Sequence, residues 1–237
     1  MMNADVDIPI DHKARIVNPT VGAKQCGDRT IRLILLGNAG AGKTSLFRKF
    51  CKDAFTSQPS LTRAIDFEII YAFLDTACAE VTQIKLFDIP GDERCRCVVP
   101  QYSRDVQGAI YVFDTTDPKS FRDLEEWRKM LHAGTADCAR ILVGTKADMY
   151  SSLDALGNPK HTQWLNDKDL GAACKQLGAD CGFKLVSSLT GKNVMEAVMT
   201  VAAAAAKHPD APHMATLNLN SPRKSTSTRK DTSKCCN

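Results

Sequence analysis

No stretch of this chain is long and apolar enough to cross a bilayer. The longest apolar runs, IRLILL (31–36) and VAAAAA (201–206), fall far short of the ~20 residues a spanning helix needs. The opening MMNADVDIPIDHK lacks the apolar centre of a secretory signal, and no glycine follows the initiator methionine, so neither export nor myristoylation is expected. The five histidines form no H-E-x-x-H, and Cys95-x-Cys97 has no partners at zinc spacing. There is no internal repeat. Ten cysteines would suit a disulfide scaffold in a short secreted chain. In 237 residues with core-forming segments and no secretory signal, they point instead to free thiols in a reducing cytosol.

Net charge is also missing from most of the chain. The formal charge is +4, from 31 Lys+Arg against 27 Asp+Glu. Residues 218–237 carry Arg223, Lys224, Arg229, Lys230 and Lys234 against Asp231 alone, which accounts for all of it. A neutral body with a basic tail argues against a nucleic-acid-coating domain and for a local electrostatic task at the C-terminus.

Residues 1–27 lack sustained periodicity and read as a flexible extension. From residue 31 apolar strand-like runs alternate with helical spacing: a strand at 31–36, a helix at 44–51, a hairpin of 65–74 and 81–87, a strand at 108–113, a helix at 118–134 and a strand at 139–144. A helix at 169–179, a strand at 183–188 and a helix at 193–207 follow an irregular stretch, 149–166. The expectation is an α/β domain over 28–206. It has a six-stranded, mostly parallel sheet with one antiparallel strand and helices on both faces. Residues 207–237 read as a disordered tail. Ligands of such sheets bind beyond the C-terminal strand ends, so the loops there carry the functional information.

The first such loop, Gly37-Asn38-Ala39-Gly40-Ala41-Gly42-Lys43-Thr44, matches G-x-x-x-x-G-K-[ST] between a strand and a helix. Close-wrapping glycines would aim backbone N–H groups, and a helix N-terminus extended by Ser45, at phosphates. Lys43 would reach the β- and γ-phosphates and the Thr44 hydroxyl a Mg²⁺. The second loop, Phe87-Asp88-Ile89-Pro90-Gly91-Asp92-Glu93, places a carboxylate, Asp88, where a second Mg²⁺ contact is expected, and the Gly91 N–H near a γ-phosphate. In the third loop, Thr145-Lys146-Ala147-Asp148, the Asp148 carboxylate matches the N1–H and N2–H donor pair of guanine, and the Lys146 stem can cover the purine. In the fourth, a backbone N–H of Ser187-Ser188-Leu189 could donate to guanine O6, which adenine lacks.

Together the four loops resemble those of the Ras superfamily of small GTPases over residues 31–206, and the P-loop NTPase fold is implied with them. Within that superfamily the Rab family is the nearest match, since Asp88 to Asp117 lies on the Rab pattern without a gap. The C-terminal Lys234-Cys235-Cys236-Asn237 lacks the CaaX signal and looks like a Rab double-cysteine prenylation site. The resemblance implies that Thr62 binds Mg²⁺, that Phe55 packs on guanine, and that Phe67, Phe87 and Tyr102 form an effector-facing aromatic trio. It also implies GTP/GDP and Mg²⁺ as ligands. The implied partners are an exchange factor, a GTPase-activating protein, effectors, an escort protein and a GDP-dissociation inhibitor. The implied location is the cytoplasmic face of an intracellular membrane with an inhibitor-bound cytosolic pool, and the implied role is a switch in vesicular traffic.

The chain departs from that pattern at several positions. Asp92 replaces the glutamine that orients the attacking water. A carboxylate ~6 Å from a phosphate charge is repelled by about 3 kcal/mol at an effective dielectric near 20. Pro90 fixes φ where Rabs carry alanine. With Lys43, Gly91 and Asp92 as the catalytic set, intrinsic hydrolysis is expected at or below the ~10⁻⁴ s⁻¹ scale of unassisted small GTPases. Thr145 stands where most of the family has Asn, Leu189 where it has Lys, and the Ala39 β-carbon would crowd an incoming catalytic group. Residues 149–166 run longer than the usual Rab connection. A non-hydrolysing, membrane-tethered GTP-binding scaffold stays open beside the cycling switch, and a P-loop kinase using ATP is disfavoured by the guanine-type loop.

Overall fold

The computed structural model describes residues 16–17, 26–57, 60–74, 81–135, 137–150 and 165–207. Most of the N-terminal extension, most of the 149–166 stretch and the basic tail with Cys235 and Cys236 lie outside the described residues. The strands are β1 (Ile16–Val17), β2 (Cys26–Leu36), β3 (Asp66–Phe73), β4 (Val81–Asp88), β5 (Gly108–Asp114), β6 (Ala139–Thr145) and β7 (Phe183–Leu185). The helices are α1 (Lys43–Lys52), α2 (Val99–Tyr102), α3 (Pro118–Arg122), α4 (Leu124–Gly134), α5 (Ala147–Tyr150), α6 (Asp167–Leu177) and α7 (Val194–Ala205). A 3₁₀ helix, Glu93–Val98, precedes α2.

The sheet order is β1-β3-β4-β2-β5-β6-β7. β2 pairs in parallel with β4 and β5, β5 with β6, and β6 with β7. β3 is the antiparallel strand, formed by the 65–87 hairpin. The six expected strands are therefore present. Ile16–Val17 adds a short edge strand against Tyr71 and Ala72, within a segment read as flexible, and β2 starts at Cys26, five residues before the apolar run. The sequence pattern misses both because two residues carry no periodicity and the start of β2 is polar.

Strand alternation sorts side chains onto two faces. Ile31, Leu33, Leu35, Ile110, Val112, Ile141 and Val143 pack with Leu46, Phe47 and Phe50 of α1 and with α7. Ile34, Leu36, Tyr111, Phe113 and Leu142 pack with Leu124, Trp127 and Leu131 of α4 and with Leu170 and Leu177 of α6. The expected 118–134 helix is interrupted at Asp123, whose carboxylate is held by Asn38 Nδ2 at 2.7 Å and Lys119 Nζ at 2.7 Å. The expected 183–188 strand stops at Leu185, because Val186 bonds to Gly144 O while Ser187 turns back to Lys192 O. α6 opens two residues early on an Asn166 cap. Cys51, Cys95, Cys97, Cys138, Cys174 and Cys181 carry free thiols. Among the described residues no helix is long and apolar enough to cross a membrane.

Ile110 lies at the centre of the sheet and is fully buried, while Phe67 at the edge is 47% exposed. Ile110→Ala is expected to cost about 2–5 kcal/mol, and Phe67→Ala much less, in urea unfolding.

Candidate functional site

The loop after β2 is built around glycine. Gly37 has φ +152°, and a β-carbon there would stand 2.0 Å from Val112 O. Beyond it the chain wraps into the first turn of α1, and Lys43 folds back inside the wrap. Its ammonium donates to Gly37 O at 2.8 Å and Asn38 O at 2.9 Å, with the residue 5% exposed. Burial lowers its pKa to about 8, against the opposing pull of Asp88. An ammonium held so close to titrating gains from any anion that enters beside it.

Three side chains predicted to share a metal come together from three elements. Thr44 Oγ1 donates to Asp88 Oδ2 at 2.6 Å and lies 2.6 Å from Thr62 Oγ1. Asp88 ends β4 almost fully buried, and desolvation raises its pKa despite Thr44 and Lys43. Its second oxygen, Oδ1, is buried with no partner. Such an orphaned carboxylate oxygen beside two hydroxyls fits a hard divalent cation with oxygen ligands. Among the described residues no group of three His, Cys, Asp or Glu side chains is placed to hold a metal ion, so this cation would depend on the two hydroxyls and on further oxygens.

These groups open onto a cleft of about 500 Å³, lined by Ala39, Gly40, Gly42, Lys43, Thr44, Ser45, Thr62, Gly91 and Asp92 among others. Gly91 closes against the first loop: its carbonyl accepts from Ala39 N at 2.9 Å, and a β-carbon on it would meet Lys43 Nζ at 2.4 Å. Gly37, Asn38 and Ala41 are not among the lining residues. Arg63, Arg94 and Cys95 also line the cleft; the sequence pattern gave Cys95 only as half of a pair without zinc partners and assigned no ligand role to any of the three.

Asp92 does not face the cleft as an unpaired charge. It caps the 3₁₀ helix by accepting from Arg94 N, and Arg94 Nε and Nη2 bind its two oxygens at 3.0 and 2.9 Å. The Arg94 bonds hold its pKa down at about 2. The repulsion argued from sequence assumed a lone anion; here a guanidinium two residues away offsets it. Pro90 beside it is buried.

The third and fourth loops form a second cluster. Ser187 Oγ donates to Asp148 Oδ1 at 2.5 Å. Lys146, at φ +58°, binds Asp114 Oδ2 at 2.5 Å and reaches the cleft. Thr145 donates to Ala41 O at 2.7 Å and lies 3.1 Å from Phe113 O, so it ties the first loop to the third. Ser187 N–H is committed to Lys192 O, so an O6 donor would come from Ser188, which is buried, or Leu189, which is exposed. Phe55 is exposed and outside the cleft walls.

Trp127, read as an ordinary apolar residue, also braces the site. Its indole N–H donates to Asn38 Oδ1 at 2.9 Å, and Arg96 lies over its ring at 5.2 Å. The aromatic trio is continuous, with ring centres 5.7 Å apart for Phe67 and Phe87 and 6.4 Å for Phe87 and Tyr102. Phe87 is buried beneath the other two and Lys85, so Phe67 is the exposed member.

Thr145→Val keeps the shape of this buried side chain and deletes its hydroxyl. A loss of about 1–3 kcal/mol is expected in denaturant unfolding, from the broken tie to the first loop.

The Ras family model matches residues 32–207. The chain is 36% identical over 134 residues to the Ras-related protein RABE1e of Arabidopsis thaliana, covering 56% of this chain and 60% of that protein. It is 32% identical over 178 residues to the Ras-related protein Rab-8B of Bos taurus, covering 74% and 78%. Over 181 residues it is 32% identical to a Ras and EF-hand domain-containing protein homolog of Mus musculus, covering 76% of this chain and 27% of that one. The match thus spans about 60% of the length of relatives such as RABE1e. The chain belongs to the Ras family, as a divergent relative of its Rab proteins.

Proposed function

We propose that this protein is a Rab-like guanine-nucleotide switch. The observation that carries the reading is the convergence of buried Lys43 and Asp88 with half-buried Thr44 and Thr62 at the head of the cleft. The glycine loop and the α1 N-terminus would cradle the α- and β-phosphates with backbone N–H groups. Lys43 would exchange its two loop carbonyls for phosphate oxygens. Thr44, Thr62 and Asp88 would hold Mg²⁺, which when bound neutralises phosphate charge. Asp148, already oriented by Ser187, would accept from the guanine N1–H and N2–H. Lys146 would lie along the base and Phe55 would move onto it.

The switch follows from where Thr62 and Gly91 stand. Each reaches the cleft from a loop and bonds to the first loop or to α1 through a single short contact. A γ-phosphate would strengthen both contacts, and its loss would release both loops and the face carrying Phe67 and Tyr102. Effectors would read that face. The regulators named above would act by family analogy, in vesicular traffic at a cytoplasmic membrane surface. Geranylgeranyl groups on Cys235 and Cys236 would supply the two chains that stable anchoring requires. The five tail cations would each add up to ~1 kcal/mol at an anionic leaflet.

Hydrolysis would be slow, for a reason that differs from simple repulsion. Both oxygens of Asp92 are bound to Arg94, so the side chain is not free to orient water. The same engagement supports the second reading, a membrane-tethered scaffold that binds GTP without hydrolysing it.

Single-turnover hydrolysis of bound GTP separates these readings. Asp92→Gln is expected to speed it at least tenfold. An unchanged rate in Asp92→Gln would remove Asp92 from the account of slow turnover. No measurable phosphate release from either protein, with GTP still exchanging, would favour the scaffold.

A further inference from the structure

The segment after Gly91 meets the glycine loop at one further place. Arg96, in the 3₁₀ helix, is not among the residues that line the cleft and packs against α4 instead. Its guanidinium carbon stands 5.2 Å from the centre of the Trp127 ring, and Nη2 donates to Asn38 Oδ1 at 3.4 Å. The same oxygen accepts from the Trp127 indole N–H at 2.9 Å, and Asn38 Nδ2 donates to Asp123 Oδ2 at 2.7 Å. Asn38 O is one of the two carbonyls that hold the Lys43 ammonium. One asparagine thus links an arginine outside the cleft to the lysine inside it.

The polar contacts of Arg96 are long. The bond to Asn38 lies near the outer limit for a hydrogen bond, and the Glu93 carboxylate oxygen stands 3.9 Å away. Nε is buried with no partner, although the side chain is only 19% exposed. A guanidinium largely out of water and only partly paired is unfavourable to keep there. Asn38 is held by shorter bonds from its other partners, so Arg96 adds a weak contact that a small shift of its backbone makes or breaks.

That backbone follows directly from the loop that closes on the cleft. Gly91 O accepts from Ala39 N at 2.9 Å, and Asp92 starts the 3₁₀ helix by accepting from Arg94 N. Thr62 Oγ1 stands 2.6 Å from Thr44 Oγ1, so both loops are drawn onto the cleft here. The Arg96 contact therefore belongs to the drawn-in arrangement. If Gly91 withdraws, Arg96, five residues on, moves with it and regains water.

We propose that Arg96 is a positioning residue for the triphosphate state, acting through Asn38. Its contact with Asn38 and Trp127 is made when the Gly91 loop closes on GTP and is lost with GDP. The proposal rests on the guanine-nucleotide reading above and adds to it a residue that biases the choice between the two nucleotides from outside the cleft. Arg96 steadies the glycine-loop backbone around Lys43, and by linkage a contact made in one state only favours the ligand of that state by the same factor. Trp127, with the guanidinium over its ring, reports the contact.

Trp127 and Trp164 are the two tryptophans, so Trp164→Phe leaves Trp127 as the single emitter in the full-length chain. This protein is loaded with GDP or GTPγS in the presence of Mg²⁺ and its tryptophan emission recorded. The ratio of the two nucleotide affinities is measured by competition against a fluorescent GDP analogue. Trp127 emission is expected to differ between the two loaded states. Arg96→Ala should abolish that difference and lower the preference for GTPγS over GDP about fivefold or more. The GDP form of Arg96→Ala should melt as the native GDP form does, because the contact is absent there. In an Asn38→Ala background, Arg96→Ala should lower the preference no further. A brace serving the fold alone would weaken both loaded forms alike and leave the ratio unchanged. Equal Trp127 emission in the two states, an affinity ratio indifferent to Arg96→Ala, or a full additional loss in the Asn38→Ala background overturns the proposal. A chain that binds neither nucleotide overturns the guanine-nucleotide reading and the proposal with it, a result distinct from binding both with an unchanged ratio.

Discussion

A buried carboxylate with one oxygen unpartnered is unfavourable on its own, and the arrangement around Asp88 is organised by that cost. The parallel sheet places Asp88 at the end of β4, beside the loop after β2, with its charge almost fully out of water. Thr44 satisfies one oxygen and holds Thr62 in turn. Lys43 supplies the nearest positive charge but spends its own hydrogen bonds on the two loop carbonyls. Ammonium and carboxylate are each displaced toward their neutral forms, so the pair is poised for a multivalent anion and a cation to arrive together. Ordering of the Thr62 and Gly91 loops would follow from the same requirement.

The glycine loop that frames this charge pair is braced from both sides. Thr145 holds it at Ala41 from the third loop, and Asn38 is fixed by Trp127 and Asp123 at the start of α4. Arg96 joins the second bracing contact by lying over Trp127 and reaching Asn38 at 3.4 Å. The segment after Gly91 is therefore coupled to the glycine loop through a helix outside the cleft. A rearrangement of Arg96 would be felt at Asn38 without any contact to ligand.

Much of this was legible in the sequence. The GNAGAGKT loop between a strand and a helix, and an aspartate ending an apolar strand, carry local signals whose chemistry fixes their surroundings. Asp92 shows where such reading stops. Its identity predicted a charge near the phosphates, but its partner is Arg94, and a capping contact over two residues depends on the backbone path. Trp127 fits its apolar helix face, yet its one polar atom decides its role, and periodicity treats the ring as uniform. Phe87 was legible as part of a trio but not as its buried member, because exposure depends on Lys85 and Phe67 above it. The N-terminal edge strand left no pattern at all.

The central claim is that the Asp88 oxygen, with Thr44 and Thr62, completes a Mg²⁺ site that holds the nucleotide. The rate of GDP release from the full-length chain, before and after chelation of Mg²⁺, tests it most directly. Chelation should speed release at least tenfold in the native protein, and Asp88→Asn should release GDP at the fast rate with or without the metal. Release from the native protein that is indifferent to chelation would contradict the account.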